Sequence, residues 1–593
     1  MAYPTGIRPN ARYLFFVLSI VAFLGGAASL ALALVPKGEA ERGAAVPGKS
    51  PERRGAPPTA TAAPRGPILV RGLLPRNDTG LTLATGEPAD LAVTPTASSS
   101  GTAIRYWALV ASPSAALPDL AAADRDALES GATLPEFASL GGLGGVPLRL
   151  AGPERPSGLA VAWANAEQAP TWDALLARLA EPGSGAIAVM PLSELDPRAA
   201  VVRVAGVAGV AGVAGVAGVA GTVEPAWIVE RVEVKGLTPR GERAAAAVVR
   251  ALEVAKPVGV RIVATGDILL SRCTYTKIVA IGDWTAPFAT TLGAFLRAAD
   301  LTIGSLDGSI QDVNPVWGCV ATTNLSSPPE AIQTLIAGGF DALTMATNHA
   351  LDCGQAGCGF QALQRGIALL DAAGIRHTGG GDTLEAALTP VIVEVAGLRV
   401  GILGFDDIAA EDFEATETEP GTAPLDDSYA DERDDLPREP AFYKPAEMLH
   451  LSRFTERIRA LRTQVDLVIV QVQTGTENTH DPSPRSVKAL RAAIEAGADL
   501  VVGNQAHWVQ AVEHHPGAFL TYALGNFIFD QRHTPQHYQG VLLEAEVWGK
   551  KLVQVRLLPY EIIDLHRPEF LTGPARAKVL REIYSASARL PAP

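Results

Sequence analysis

Six short apolar runs in the C-terminal half of the chain each stop on a small cluster of Gly, Asp, Asn, His or Gln. In order they are IVATGD ending at Asp267, LTIGSLD at Asp307, ALTMATNH at Asn348 and His349, VGILGFDD at Asp406 and Asp407, VIVQVQTGTE at Gln473 to Glu477, and VVGNQAH at Asn504 to His507. A continuous apolar run of about five residues fits a strand covered on both faces, as in a helix-covered sheet. Such strands present ligands at their carboxyl ends, where loops meet and the backbone is free. Six polar tips at one end therefore predict a single crevice, and the crevice is where function is expected. Helical stretches at 292–299, 329–337, 360–373, 455–462 and 485–496 alternate with the runs, which predicts a layered α/β sheet with right-handed crossovers. VLLEAEVW, Gly549-Lys550 and LVQVRLLPYEII read as a β-hairpin.

The 593 residues suffice for two or three domains. With 63 acidic against 49 basic residues the net charge is −14, which argues against nucleic-acid partners. Residues 406–435 hold thirteen acids and one base, Arg433, and read as a solvated, self-repelling loop. Residues 13–35 are 23 nearly unbroken apolar positions, about 35 Å as a helix and enough to span a bilayer. A single-pass N-terminal anchor within residues 1–35 is expected, with the main domains extracytoplasmic; a cleaved signal is the alternative. Four cysteines in an exported chain favour disulfides, and of three pairings Cys273–Cys319 with Cys353–Cys358 is the first to test.

Residues 36–67, rich in Ala, Pro and Gly, read as a disordered linker. Residues 68–253 read as a small α/β domain whose outline is similar to periplasmic binding-protein folds, with strands in ILVRGLL, YWALVAS, LAVAWA and GAIAVMPLSEL and a helix over 172–180. Six identical Val-Ala-Gly triplets fill 204–221 as a tolerated insertion. The main domain is expected over 258–565, followed by a helical tail over 566–593. No G-x-S-x-G elbow, H-E-x-x-H or P-loop lysine occurs.

The order GD at Asp267, SLDGSI at Asp307, ATNHALDCG around His349, TGTE at Glu477, GADLVVGNQAHWVQ around His507 and YALGNFIFDQ around Asn526 resembles the capsule and poly-γ-glutamate synthesis family (CapA) over roughly 260–565. That resemblance implies a four-layer α/β/β/α metallophosphoesterase-like sandwich. It further implies a site for a divalent cation, up to two, of Mn, Mg, Ca, Fe or Zn. Metal ligands would be Asp267, Asp307, Asn348, His507, Gln473 and Gln505, with His349 contacting a phosphate or protonating a leaving group. Glu477, Asn504 and Asn526 would contact substrate, and Asn526 would also stabilise its turn beside Gly525. The implied partners are the cell membrane and an anionic polymer or its synthase subunits.

Departures from the family pattern are as informative. Gln473-Thr474-Gly475 stands where relatives carry His-Trp-Gly, Gln505-Ala506-His507 where they carry His-Pro-His, and Asp307 where they carry Glu. Leu269 occupies the place of a first-motif His in the wider phosphoesterases. An amide oxygen is a poorer ligand for zinc, iron or manganese than imidazole, so transition-metal affinity should be weakened. Asp406 and Asp407 are minor site candidates. His514, His515, His533 and His537 are expected on the surface or in loops, and Asp352 is expected to cap the Cys353 loop.

Overall fold

The computed structural model describes residues 259–592 except 316, 321, 354–357 and 428–445, together with shorter stretches between residues 68 and 252. The expected membrane span, the linker, LAVAWA and nearly all of the Val-Ala-Gly repeat lie outside the described residues. Among the described residues no helix is long and apolar enough to cross a membrane.

The fold is mixed α/β. Its first large sheet uses β1 (Gly259–Ile268), β2 (Leu301–Leu306), β3 (Ala342–Thr344) and β4 (Arg376–Thr378). The second uses β5 (Val391–Val395), β6 (Leu398–Asp406), β7 (Leu467–Gln473), β8 (Leu500–Asn504), β9 (Val512–His515) and β10 (Ala518–Thr521). β11 (Asn526–Ile528), β12 (Gln539–Trp548), β13 (Lys551–Ile563) and β14 (Arg567–Phe570) complete the first sheet. The strand orders are β4-β3-β2-β1-β12-β13-β14, with β11 beside the end of β1, and β5-β6-β7-β8-β10-β9. The four strands β4 to β1 run parallel, as do β6, β7, β8 and β10. The expected hairpin is β12 and β13, paired antiparallel from Gln539↔Glu561 to Trp548↔Lys551.

Alternation along each strand sorts the apolar side chains into three clusters. Ile262, Ile303, Ile402, Ile469 and Val502 meet between the two sheets. Val263 and Leu343, one residue out of phase, face Ile278, Leu292, Leu335 and Leu370 of the helices over the first sheet. Val468, Val470 and Val501 likewise face Phe454, Ile458 and Leu490 over the second. Because a strand's side-chain period is two, both faces of each central strand are apolar, which is why the sequence runs are continuous. The layers thus follow as helices, sheet, sheet, helices. Burying one such Ile or Leu is worth about 1.5–3 kcal/mol.

The covering helices are Arg272–Ile281, Thr291–Arg297, Ile332–Gly338, Gly359–Ala373, Ser452–Arg462 and Pro484–Glu495. Local chemistry sets their ends. Ser483 accepts the Ser486 N–H ahead of Pro484, and Gly374 leaves its helix with φ 74°. The expected tail is a helix, Gly573–Ser587, only after Arg567–Phe570 has joined the first sheet as its edge.

Upstream, a nine-stranded sheet has Trp227–Gly236 at its centre, antiparallel to both Leu91–Pro95 and Ala103–Ala111. Trp172–Ala180 is the expected helix, capped by Thr171. This sheet's core reaches Val553 of the hairpin, and His514 Nδ1 lies 2.6 Å from the Pro197 carbonyl oxygen. His514 is therefore an inter-layer contact and not a surface residue, and burial lowers its pKa to about 4. His515 pairs with Glu513, while His533 is exposed as expected.

Two disulfides form, Cys273–Cys319 and Cys353–Cys358. The first ties the helix after β1 to the loop after β2, and the second closes the segment that follows His349.

Candidate metal centre

The parallel strands of both sheets end together. Asp267 lies one residue before the end of β1, and Asp307 immediately follows β2. Asn348 and His349 sit in a turn beyond β3, because that strand stops at Thr344 instead of running on to the motif. From the second sheet come Asp406, Gln473 and Asn504, the last residues of β6, β7 and β8. The two sets are stitched across the interface: Gln471 Nε2 donates to the Gly304 carbonyl at 3.1 Å, and the Gln505 N–H donates to Asp267 Oδ2 at 3.1 Å.

Asp267, Asp307 and His507 converge, each offering a ligand atom within 4.8 Å of the others, and all three are buried. Asp267 Oδ1 and both oxygens of Asp307 have no hydrogen-bond partner. An unpartnered buried carboxylate is costly, so this donor set fits a hard or borderline divalent cation. Burial, then the charge of Asp307, pushes the Asp267 carboxyl up to about 7. Burial also raises Asp307, against a downward pull from His349. His507 Nδ1 lies 2.9 Å from Asn526 Oδ1, and Asn526 Nδ2 donates to the His537 carbonyl at 2.9 Å. Asn526 thus orients an imidazole as well as its own turn. His507 and Gln505 hold φ of 56° and 89°, a left-handed backbone that non-glycine residues adopt at a cost.

Gln473 and Gln505 are brought to the same crevice but bond to each other. Gln473 Nε2 donates to Gln505 Oε1 at 2.9 Å, and Gln505 Nε2 donates to Glu477 Oε1 at 3.4 Å. Ser305 Oγ donates to Gln473 Oε1 at 3.5 Å. Glu477 is half exposed at the rim, 4.0 Å from His507 Nε2. Asn348 Oδ1 and both amide atoms of Asn504 are buried without partners. Leu269 is fully buried in the apolar cluster under the helices, where no imidazole is replaced by another donor.

His349 Nδ1 lies 2.6 Å from Asp352 Oδ2, which also accepts the Leu325 N–H at 2.7 Å. Asp352 is therefore the partner of His349, while residues 354–357 of the loop it was expected to cap lie outside the described residues. Burial works against the imidazolium, but the bond to Asp352 and the charges of Asp307 and Asp352 outweigh it and lift His349 to about 9. Arg272, held by Asp530 and donating to the Thr322 carbonyl, adds positive charge felt by both His349 and Asp307.

The acidic stretch departs from its expected solvated form at four positions, while Asp412, Glu417 and Glu419 are exposed and 428–435 lie outside the described residues. Asp406, Asp407, Glu414 and Asp426 are buried. Arg485 explains two of them: its Nη2 donates to Asp407 Oδ1 at 2.7 Å and to Asp426 Oδ2 at 2.8 Å. Asp407 also accepts the Thr474 hydroxyl at 3.1 Å, which fixes the loop after Gln473. Asp406 caps the Ile408 and Ala409 N–H groups through Oδ1 while Oδ2 is unpartnered, and burial raises it to about 7. His537, expected at the surface, is 4 % exposed, and its Nε2 lies 2.6 Å from Asn478 Oδ1.

Two facing sheets that deliver carboxylates, an amide and imidazoles to one rim are consistent with the metallophosphoesterase-like class of α/β proteins. Residues 261–531 match the family described as bacterial capsule synthesis protein PGA_cap, which supports the CapA family for this part of the chain. It is 26% identical over 267 residues to the PGA biosynthesis protein CapA of Bacillus subtilis (strain 168), covering 45% of this chain and 62% of that protein. It is 25% identical to the capsule biosynthesis protein CapA of Bacillus anthracis, covering 45% and 59%. A probable polyglutamine synthesis accessory protein of Mycobacterium tuberculosis (strain CDC 1551 / Oshkosh) is 27% identical, covering 47% and 67%. The chain thus spans about three fifths of the length of the two Bacillus relatives it matches.

Proposed function

We propose that the chain acts in the synthesis, export or anchoring of an anionic capsular polymer of the poly-γ-glutamate type, as a membrane-anchored, extracytoplasmic component. The observation that carries this reading is the buried Asp267–Asp307–His507 group within the segment that matches capsule-synthesis proteins. A divalent cation held by these residues would supply positive charge for the carboxylate or phosphate of a polymer or lipid carrier. His349, charged at neutral pH and oriented by Asp352, faces the same anionic chemistry. Gln473 and Gln505 in place of stronger donors favour a binding or accessory role over efficient two-metal catalysis. Under this reading Asp267→Ala with His349→Ala abolishes surface polymer in cells while no phosphoester turnover is present to be lost.

The second reading is a metal-dependent hydrolase of phosphoester or isopeptide bonds. The His349–Asp352 pair favours it, since an imidazolium poised at 2.6 Å from its carboxylate can hand a proton to a leaving group. Turnover by the purified full-length chain that disappears in Asp267→Ala and His349→Ala would decide for the hydrolase and against the accessory role.

A further inference from the structure

We propose that this crevice is built for one divalent cation, held by Asp267, Asp307 and His507, and that the Gln473–Gln505 amide pair fills the place of a second ion. The proposal rests on the metal-site reading above and departs from the two-ion site that the resemblance implies.

The hydrogen-bond directions carry the argument. Ser305, Gln473, Gln505 and Glu477 form one chain in which each side chain donates to the next, at 3.5, 2.9 and 3.4 Å. Both amide oxygens are therefore already accepting, and both amide N–H edges point along the chain toward the Glu477 carboxylate. The 2.9 Å contact between Gln473 Nε2 and Gln505 Oε1 is a hydrogen bond, and it turns the two amides toward each other instead of toward an ion. An amide NH2 also presents the positive end of its dipole, which repels a cation. The chain is buried and terminates on a rim carboxylate, so it is satisfied without metal.

The three-residue group is the opposite. Asp267 Oδ1 and both Asp307 oxygens are buried and lack hydrogen-bond partners, and the positive charges of His349 and Arg272 act on Asp307 without bonding to it. One dication balances two carboxylates. Asn526 fixes the His507 ring through Nδ1 at 2.9 Å, with that nitrogen 3.9 Å from Asp267 Oδ2, and Nε2, 4.0 Å from Glu477 Oε1, is the ring nitrogen without a hydrogen bond. The site so formed is a neutral one-ion anchor for an anionic oxygen ligand, with no second ion to share a bridging oxygen.

The test uses full-length chain equilibrated with Mn2+, desalted, and examined by elemental analysis and electron paramagnetic resonance. One Mn2+ per chain, with the hyperfine sextet of an isolated ion, is expected, and His507→Ala should lose it. Gln473→His with Gln505→His should bind a second ion and show an exchange-coupled spectrum. Two coupled ions in the unaltered chain would overturn the one-ion inference while leaving the metal-site reading intact. No bound Mn2+ in the unaltered chain would overturn the metal-site reading itself. A folded double variant that still holds one ion would remove the amide pair from its assigned place. Should that variant not fold, the stoichiometry and spectrum of the unaltered chain decide the matter.

Discussion

His349 Nδ1 and Asp352 Oδ2 are 2.6 Å apart, and this pair sets the charge at the rim of the crevice. Burial disfavours the imidazolium, yet Asp352 and Asp307 hold it to about pH 9. A His whose folded pKa lies above its unfolded value of 6.5 contributes stability that is complete below 6.5 and is lost as pH rises through about 9. Asp352→Asn should lower the His349 titration midpoint in NMR and shrink that alkaline loss. It should also cost about 1.5–3 kcal/mol by weakening a charge-assisted bond. An unmoved midpoint would show that Asp352 does not control the ring.

The carboxylate pair has the reverse acid-base logic to an ordinary salt-bridged Asp. Asp267 is raised from 3.8 to about 7 by burial and by Asp307, so the folded chain holds a proton that the unfolded chain has released. Its contribution therefore falls as pH climbs from about 4 through 7. With chelator present, thermal unfolding should shift downward over that window, and Mn2+ should remove most of the shift. Asp267→Asn with Asp307→Asn should flatten the profile without metal. A profile unchanged by the double substitution would place its origin elsewhere.

The parts of this fold legible in sequence are those where both faces of a strand are dry. β1, β2, β6, β7 and β8 end within a residue or two of the polar tips that mark them. β3 does not, since ATNH follows ALTM without an apolar break although the chain turns after Thr344. Burial of the acids was illegible for a different reason. Asp407 and Asp426 are compensated by Arg485, 78 and 59 residues further on, and a charge run shows nothing of a partner so distant. Asp352 did carry a local signal, an acid three residues after a His, but the same pattern suits a turn cap. Arg272 and His537 owe their places near the site to Asp530 and Asn478, pairings that no spacing announces.

The two disulfides should differ in worth because they close loops of unlike length. Cys273 and Cys319 are 46 residues apart and Cys353 and Cys358 only 5. Chain-entropy scaling gives about 4 kcal/mol for the longer loop and about 2 kcal/mol for the shorter. Paired Ser substitutions measured by denaturant unfolding should reproduce that order. The shorter bridge lies next to Asp352, and Asn314 donates to the Cys353 carbonyl, so its loss should also lower the His349 midpoint. Equal costs, with His349 unaffected in both variants, would contradict the assignment.

Gly266 controls whether the two halves of the metal group meet. A Cβ at this position would lie 1.7 Å from the Gly525 carbonyl oxygen, which is backbone and has no rotamer in which to retreat. That same oxygen accepts the Asp267 N–H at 3.2 Å, and Gly525 itself sits at φ 79°. The close approach therefore fixes Asp267 against Asn526, whose side chain in turn holds His507. Gly266→Ala must push β1 away from the 525–526 backbone, at a cost of about 3 kcal/mol or more from overpacking. Displacement of Asp267 by even part of an ångström should also weaken Mn2+ binding by at least about tenfold, in the range seen when supporting contacts of a metal site are lost. The two readouts separate the effects. A variant that unfolds earlier yet keeps the affinity of the unaltered chain would mean that the contact supports the sheet without positioning the ligands, and Asp267 would then owe its place to the Gln505 N–H alone.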